Sequence, residues 1–468
     1  MATASAQTYS YARASALTDA GVLDLQTSGG TARALGGAVP DQTVTHPRFF
    51  TGLLGEAEPA AAAILGLANV AGAHYDRRMP GWLRDYLLDP VVTCDAQRLR
   101  LESFSGCCGV YARLDVLPGA IDGQYLARGT TNIDVNEPLR RALSKVRGTD
   151  PLKLAVGPDE VEVTTFEGSV VERKVPLPGR WLRGFAEVQA LSSGFEPRAR
   201  LGRVEAKRFL QSLPTGGRAA LWAVPAGRGL RLTSRAAPGA VSVPEPGRLK
   251  ELISLLRLGA ELTAYGPNLA AGSVPVSSCW QLDLPEMRFT LTLSPEGRRG
   301  FSGEGAVLAA LAGDEVAEDA ERVGALLDFQ GRIEPDELAE QTGLDRARIR
   351  PALSLLGTSG RVGFDPAEAA FFHRELPYDA ARALKDNPRL AAAYVLLDAD
   401  AVRTAGAESW ITSGEGKHLV RFESADAVAG PLSCTCAWWA QYRGGRGPCK
   451  HILAAQLHRR RTEGAEQE

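Results

Sequence analysis

The sequence predicts an α+β protein of several domains, and three observations carry that expectation. The chain has 468 residues, more than one ordinary core holds, since domains run to about 100–200 residues. Its apolar residues switch along the chain between the two-residue alternation of strands and the 3.6-residue repeat of helices. Close to the C-terminus, three cysteines and a histidine stand as two closely spaced pairs, Cys434 with Cys436 and Cys449 with His451.

Bulk composition narrows the classes further. With 44% hydrophobic and 23% charged residues the chain should fold, which excludes wholesale disorder and fibrous repeats. The formal net charge of −2 supplies no global field toward nucleic acid or a membrane, so any such attraction must be local. The longest apolar stretch, Ala60 to Ala73, is interrupted by Asn69 and falls short of the roughly 18 residues of a spanning helix. Met1 to Arg13 lacks the basic-then-apolar pattern of an export signal, so a cytoplasmic location is expected. Seven cysteines, odd in number and clustered, suit reduced thiols and a metal site better than a disulfide framework. Arginine outnumbers lysine 45 to 8, a usage that resembles bacteria with GC-rich genomes.

Four regions follow in order. Residues 1–150 form an N-terminal α+β region of unknown role, with a helix expected over Pro59–Tyr75 and extended runs over Arg98–Phe104 and Val110–Leu117. Residues 151–300 form a second α+β region, with strands at Val161–Thr165 and Arg288–Leu293 and helices at Val204–Leu213 and Pro246–Leu256. The Gly and Pro cluster Pro295–Gly300 marks its end.

Residues 301–380 turn helical, with helices expected over Ala306–Leu311, Ala320–Asp328, Pro335–Gln341 and Asp345–Leu356. Pro335 suits a first helical turn and Gly343 suits a helix end, so the last two make a helix-turn-helix. Pro351 counts against regularity in the second of them, because its ring removes a backbone donor. The extended runs Arg361–Phe364 and Ala370–Arg374 complete a winged-helix-like module. Arg346, Arg348 and Arg350 make the helix basic, as groove reading requires, yet Asp365, Glu368 and Glu375 offset Arg361 and Arg374 beside it. Protein interaction is therefore the favoured reading of this module. Residues 381–468 are expected to hold a helix and then a small metal-bound finger over about 408–460.

Three thiolates and one imidazole make a complete tetrahedral shell for one structural Zn²⁺. Cys449 and His451 cannot both ligate from a regular helix, because positions i and i+2 point to nearly opposite sides. Cys449 should therefore precede a helix that Pro448 initiates and that runs through Ile452–Arg460, with His451 in its first turn. The positive end of that helix dipole would offset the net negative charge of zinc with three thiolates. Upstream, Trp410–Thr412 and His418–Phe422 flank Ser413-Gly414-Glu415-Gly416 as a β-hairpin, giving a ββα unit.

The Cys-x-Cys pair, the spacer, the Cys-x-His pair, the Trp410–Phe422 lead-in and the Cys-Lys-His-Ile-Leu-Ala run resemble the SWIM zinc finger family. That resemblance implies Cys434, Cys436, Cys449 and His451 as the zinc ligands, and binding of DNA, RNA or a protein partner rather than catalysis. A helicase-like ATPase is the kind of partner it suggests. A closed shell leaves no open position for water or substrate, which argues against an enzyme here. The alternatives are an enzyme with its active site in residues 1–300, or a pure protein–protein adaptor.

Local charge supports the binding reading. Arg443, Arg446, Lys450, Arg459, Arg460 and Arg461 lie near Trp438 and Trp439 without an acidic residue among them, which suits phosphate contact with base stacking. The bland reading weighs equally: the tryptophans cover the zinc knuckle and the arginines are a solvated face. Cys94, Cys107, Cys108 and Cys279 read as packed thiols, and His46, His74, His373 and His418 as single structural histidines. His458, two turns beyond His451, is a candidate neighbour of the site, although a solvated position suits it better. No P-loop follows the glycine-rich stretches, so ATP hydrolysis by this chain is not expected.

Overall fold

A computed structural model describes residues 48–467, except 76–89, 176, 178, 215–218, 298–299, 302–313, 377–387, 415, 424–431 and 445–446. Before residue 48 it describes short strand pieces only, and the side chains of residues 460–461 and 463–467 lie outside the description.

The N-terminal body is built from antiparallel sheet. Strand β1 (Phe50–Leu54) leads into α1 (Ala57–Gly72), followed by β2 (Val91–Cys94), β3 (Leu99–Phe104), β4 (Val110–Val116), β5 (Ile121–Tyr125) and β6 (Ala127–Asn132). Then come α2 (Glu137–Lys145), β7 (Lys153–Val156), β8 (Glu160–Thr165), β9 (Gly168–Arg173), α3 (Gly179–Ser192), β10 (Glu196–Gly202) and α4 (Arg203–Ser212). Strands β11 (Leu221–Ala226), β12 (Gly229–Thr233) and β13 (Val241–Val243), helix α5 (Lys250–Leu255) and strands β14 (Glu261–Gly266), β15 (Ser278–Leu284) and β16 (Met287–Leu293) complete it. A five-stranded sheet runs β5-β1-β7-β8-β9, and a nine-stranded sheet runs β10-β14-β15-β16-β4-β3-β2-β6 and ends on Arg33–Ala34.

The nine-stranded sheet crosses the boundary expected near residue 150. Strand β4 pairs with β16 along its whole length, from Val116 opposite Met287 to Val110 opposite Leu293. The backbone groups of β4 are thus satisfied by a strand remote in sequence, so the two expected regions share one sheet and one core. Local periodicity carries no information about such a pairing, which is why residue 150 looked like a division.

Strands β3 and β4 alternate apolar and polar residues, yet both are buried along their full length. Leu99, Leu101, Val110, Ala112, Leu114 and Val116 join the main core with α1. The opposite parity, Arg100, Glu102, Arg113 and Asp115, is buried too, beneath a hairpin from the next region.

That region holds α6 (Asp314–Ala325), α7 (Pro335–Thr342), α8 (Arg346–Thr358) and the hairpin β17 (Val362–Asp365) with β18 (Ala370–His373). The expected helix Ala306–Leu311 lies outside the described residues. Gly343 ends α7 at φ 70°, a left-handed conformation that glycine adopts without strain. Helix α8 runs through Pro351. Val323, Ile349, Leu353, Val362 and Phe364 form its core. Arg113 donates to Asp365 at 2.6 Å and to the Phe364 carbonyl at 3.2 Å, and Arg288 reaches Asp365 at 3.0 Å. Arg98 and Arg288 hold Glu368 at 2.7 and 2.8 Å, and Arg374 pairs with Glu102. The hairpin is therefore sewn onto the sheet by charge.

The C-terminal unit comprises α9 (Pro388–Asp398), β19 (Val402–Ala405), β20 (Glu408–Ser413), β21 (Gly416–Arg421), β22 (Ser433–Cys434), α10 (Ala437–Tyr442) and α11 (Lys450–Gln467). The four strands form one antiparallel sheet in chain order. Val402, Ile411, Val420 and Phe422 pack against Leu390, Ala393, Ile452, Leu453 and Leu457 of α9 and α11. The expected hairpin is β20 with β21, but the unit exceeds ββα by the strands β19 and β22 and the helices α9 and α10.

Candidate metal centre

Two elements bring the four predicted ligands together. Cys434 ends β22, opposite Val420 on the core-facing side of the sheet. Cys436 caps α10, its sulfur accepting from the Trp439 amide at 3.4 Å. Cys449 precedes α11, as the spacing required, and its sulfur accepts from the Ile452 amide at 3.5 Å. Two of the sulfurs therefore sit at helix starts, where amide hydrogens favour the thiolate that a metal needs. His451 lies in the first turn of α11.

The ligand atoms of Cys434, Cys436, Cys449 and His451 all lie within 4.8 Å of one another, and all four residues are buried. The His451 Nδ1 atom stands 3.9 Å from the Cys434 sulfur and 4.0 Å from the Cys449 sulfur. These separations approach the edge of about 3.5 Å expected in a tetrahedron whose bonds are about 2.0–2.3 Å. Hydrogen bonds from the Cys434 thiol, the His451 ring and the Ile452 amide draw the Cys449 thiol down to about 4. The same exchange with Cys449, together with burial, pushes the Cys434 thiol up. Three apposed buried thiols with one imidazole are the donor set of a structural Zn²⁺ site.

Residues 419–459 match the family model described as the SWIM zinc finger. The chain carries a SWIM zinc finger. Within that finger Cys434, Cys436, Cys449 and His451 fit one structural Zn²⁺. No curated protein matches the chain. Among solved structures it is similar to the Proliferating Cellular Nuclear Antigen from Entamoeba histolytica, at 11% identity and a TM-score of 0.35, over 53% of this chain and 99% of that one.

The remaining predicted contacts of the SWIM finger separate in space. Arg443 is exposed just after α10, and Lys450 is half-buried at the start of α11. Arg446 lies outside the described residues, as do the side chains of Arg460 and Arg461. Arg459, expected at the phosphate-contacting surface, is buried instead: it donates to the Gly406 carbonyl and lies 3.6 Å over the Phe422 ring. Its stem belongs to the core face of α11, one residue off the outward side. Trp438 and Trp439 are half-buried against the core, and Arg389 of α9 sits 4.6 Å over the Trp438 ring while donating to the Pro448 carbonyl at 3.1 Å. Both tryptophans therefore pack against the cluster that holds the ligand cysteines.

Sequence reasoning missed His418. Its ring lies 4.0 Å from that of His451, centroid to centroid, so it backs the metal ligand. The available signal was parity: His418 shares the inward face of β21 with Val420. His458 stands near Asp400. His373 accepts from the Phe329 amide at 2.6 Å through Nδ1, and Cys94, Cys108 and Cys279 are buried, which are structural places.

Elsewhere, a cleft of about 370 Å³ opens between the nine-stranded sheet and the hairpin turn, lined by Arg200, Tyr265, Gln281, Asp283, Arg288 and Ala367 among others. Several of its polar groups are engaged with one another or their neighbours: Arg200 with Glu261, Gln281 with Asp283, and Arg288 with Asp365 and Glu368. No helix among the described residues is long and apolar enough to cross a membrane.

Proposed function

We propose that this chain is a zinc-stabilised binding protein, not an enzyme, and that its SWIM finger engages nucleic acid. The carrying observation is the closed, buried Cys₃His cluster with Arg443 exposed and Lys450 half-exposed at its rim. Four protein ligands leave no coordination position for water or substrate, so the metal holds shape and the surface does the work. From Thr435 to Arg461 there is no acidic residue, so this rim presents cations to phosphate. Free thiols in this number suit a reducing, cytoplasmic setting.

A fluorescence anisotropy titration with short DNA and RNA, run with and without a zinc chelator, tests the reading. Salt-sensitive binding that disappears with the metal supports it, and absence of binding to either polymer at low salt removes the nucleic-acid reading.

A second observation favours a protein-contact role for the helical region. It resembles a winged helix, but Arg348 of α8 is held by Asp319 at 2.7 and 2.8 Å, Arg350 by the Ser193 carbonyl, and the hairpin by the sheet. A helix and wing so engaged cannot enter a groove without being undone. This region serves to join the body and to offer protein contacts, and a helicase-like ATPase is the partner class to seek by co-purification.

A further inference from the structure

The four-stranded sheet of the finger has a second face that no element of the described unit covers. Along β20 the side chains of Ser409 and Ile411 are buried, while Trp410 and Thr412 are exposed. Along β21, Val420 is buried, while Lys417 and Arg421 are exposed and Leu419 is half-buried. Pairing aligns the outward residues: Trp410 lies opposite Arg403 on one side and Leu419 on the other, Thr412 opposite Lys417, and Glu408 opposite Arg421. Trp410 is 39% exposed, on a central strand, with cations on both neighbouring strands.

We infer that this sheet face is where a single-stranded nucleic acid lies, with a base stacked on Trp410 and phosphates held by Arg403, Lys417 and Arg421. The inference rests on the finger being a nucleic-acid binder and goes on to name the surface and the strandedness. A flat face with an exposed ring offers stacking to an unpaired base, whereas the bases of a duplex are already stacked and its grooves admit a protruding helix or ribbon. A protein partner fits less well on account of Lys417, since lysine is depleted at the cores of protein interfaces. Arg403 is paired with Asp400 at 2.7 Å and Arg421 with Glu408 at 3.1 Å, both pairs exposed, so exchanging these carboxylates for phosphate costs little. Lys450 belongs to α11, which packs against the core face of the sheet, and is not part of this surface.

The test uses the full zinc-loaded chain in anisotropy titrations with a fluorescein-labelled oligothymidylate, its oligouridylate counterpart and a duplex of equal length. The expected result is tighter binding of the single strands, lost at least about tenfold in Trp410→Ala and retained in Trp410→Phe, with zinc content unchanged in both. Lys417→Glu should weaken the single-strand complex and flatten its salt dependence. Preference for duplex, or single-strand binding indifferent to Trp410→Ala at full zinc content, overturns the inference while leaving the finger a nucleic-acid binder. Failure to bind any of the three probes overturns both.

Discussion

At the scale of single residues, the zinc cluster shows how little sequence a metal site needs. Cys449 carries the arrangement: it stands just ahead of α11, accepts the Ile452 amide, and shares protons with Cys434 and His451. Its thiol is the one drawn lowest, so it is the first to offer a thiolate. Replacing it, Cys449→Ser, should abolish stoichiometric zinc in the purified chain as measured by inductively coupled plasma spectrometry. Retention of one zinc per chain in that variant would show that the remaining three ligands suffice. The ligands were legible because their spacing is dictated by chemistry local to two short segments. Arg459 was misread for the opposite reason: whether an arginine on a helix faces water depends on what packs against that helix, here Phe422 and the Gly406 carbonyl.

At the scale of elements, the hairpin β17–β18 is the instructive case. Its two strands were legible from short extended runs after a helix-turn-helix, and their boundaries hold to within a residue. Their role was not. Asp365 is almost fully buried between Arg113 and Arg288, so removing its charge strands cations in a buried interface. Asp365→Asn should cost about 3–5 kcal/mol in a urea titration, the range for breaking one partner of a buried pair. Asp400→Asn, which breaks an exposed pair with Arg403, should leave the urea midpoint where it is. Equal midpoints for wild type and Asp365→Asn would mean that the hairpin is held by its apolar contacts instead.

At the scale of the whole molecule, the same charges set the response to acid. Burial pushes the Asp115 and Asp365 carboxyls up, but Arg113, with Arg100 and Arg288, outweighs it and holds both below the ordinary range. A carboxyl depressed in the folded state contributes its full stabilisation above its unfolded value of about 3.9, and loses it progressively as pH falls from there through its lower folded value. Near-UV circular dichroism should therefore hold steady from neutral pH to about pH 5 and collapse below about pH 4. In Asp365→Asn the remaining acid limb should be shallower. A collapse that begins near pH 6 would assign the transition to histidines and not to these carboxyls.

What the sequence determined by itself was whatever is written in neighbouring residues: the α+β character, most of the described helices but fewer than half of the strands, and a zinc site whose four ligands sit in two short pairs. Tertiary structure alone decided that β4 pairs with β16, that the polar parity of β3 and β4 is buried under the hairpin, and that Trp438 is covered while Trp410 is open. The reason is physical. Periodicity and ligand spacing report which side of an element differs from the other, but burial and pairing depend on which remote surface arrives to cover that side. In this chain the polar face of a sheet meets a second charged surface instead of water, and alternation along the strand looks the same in both cases.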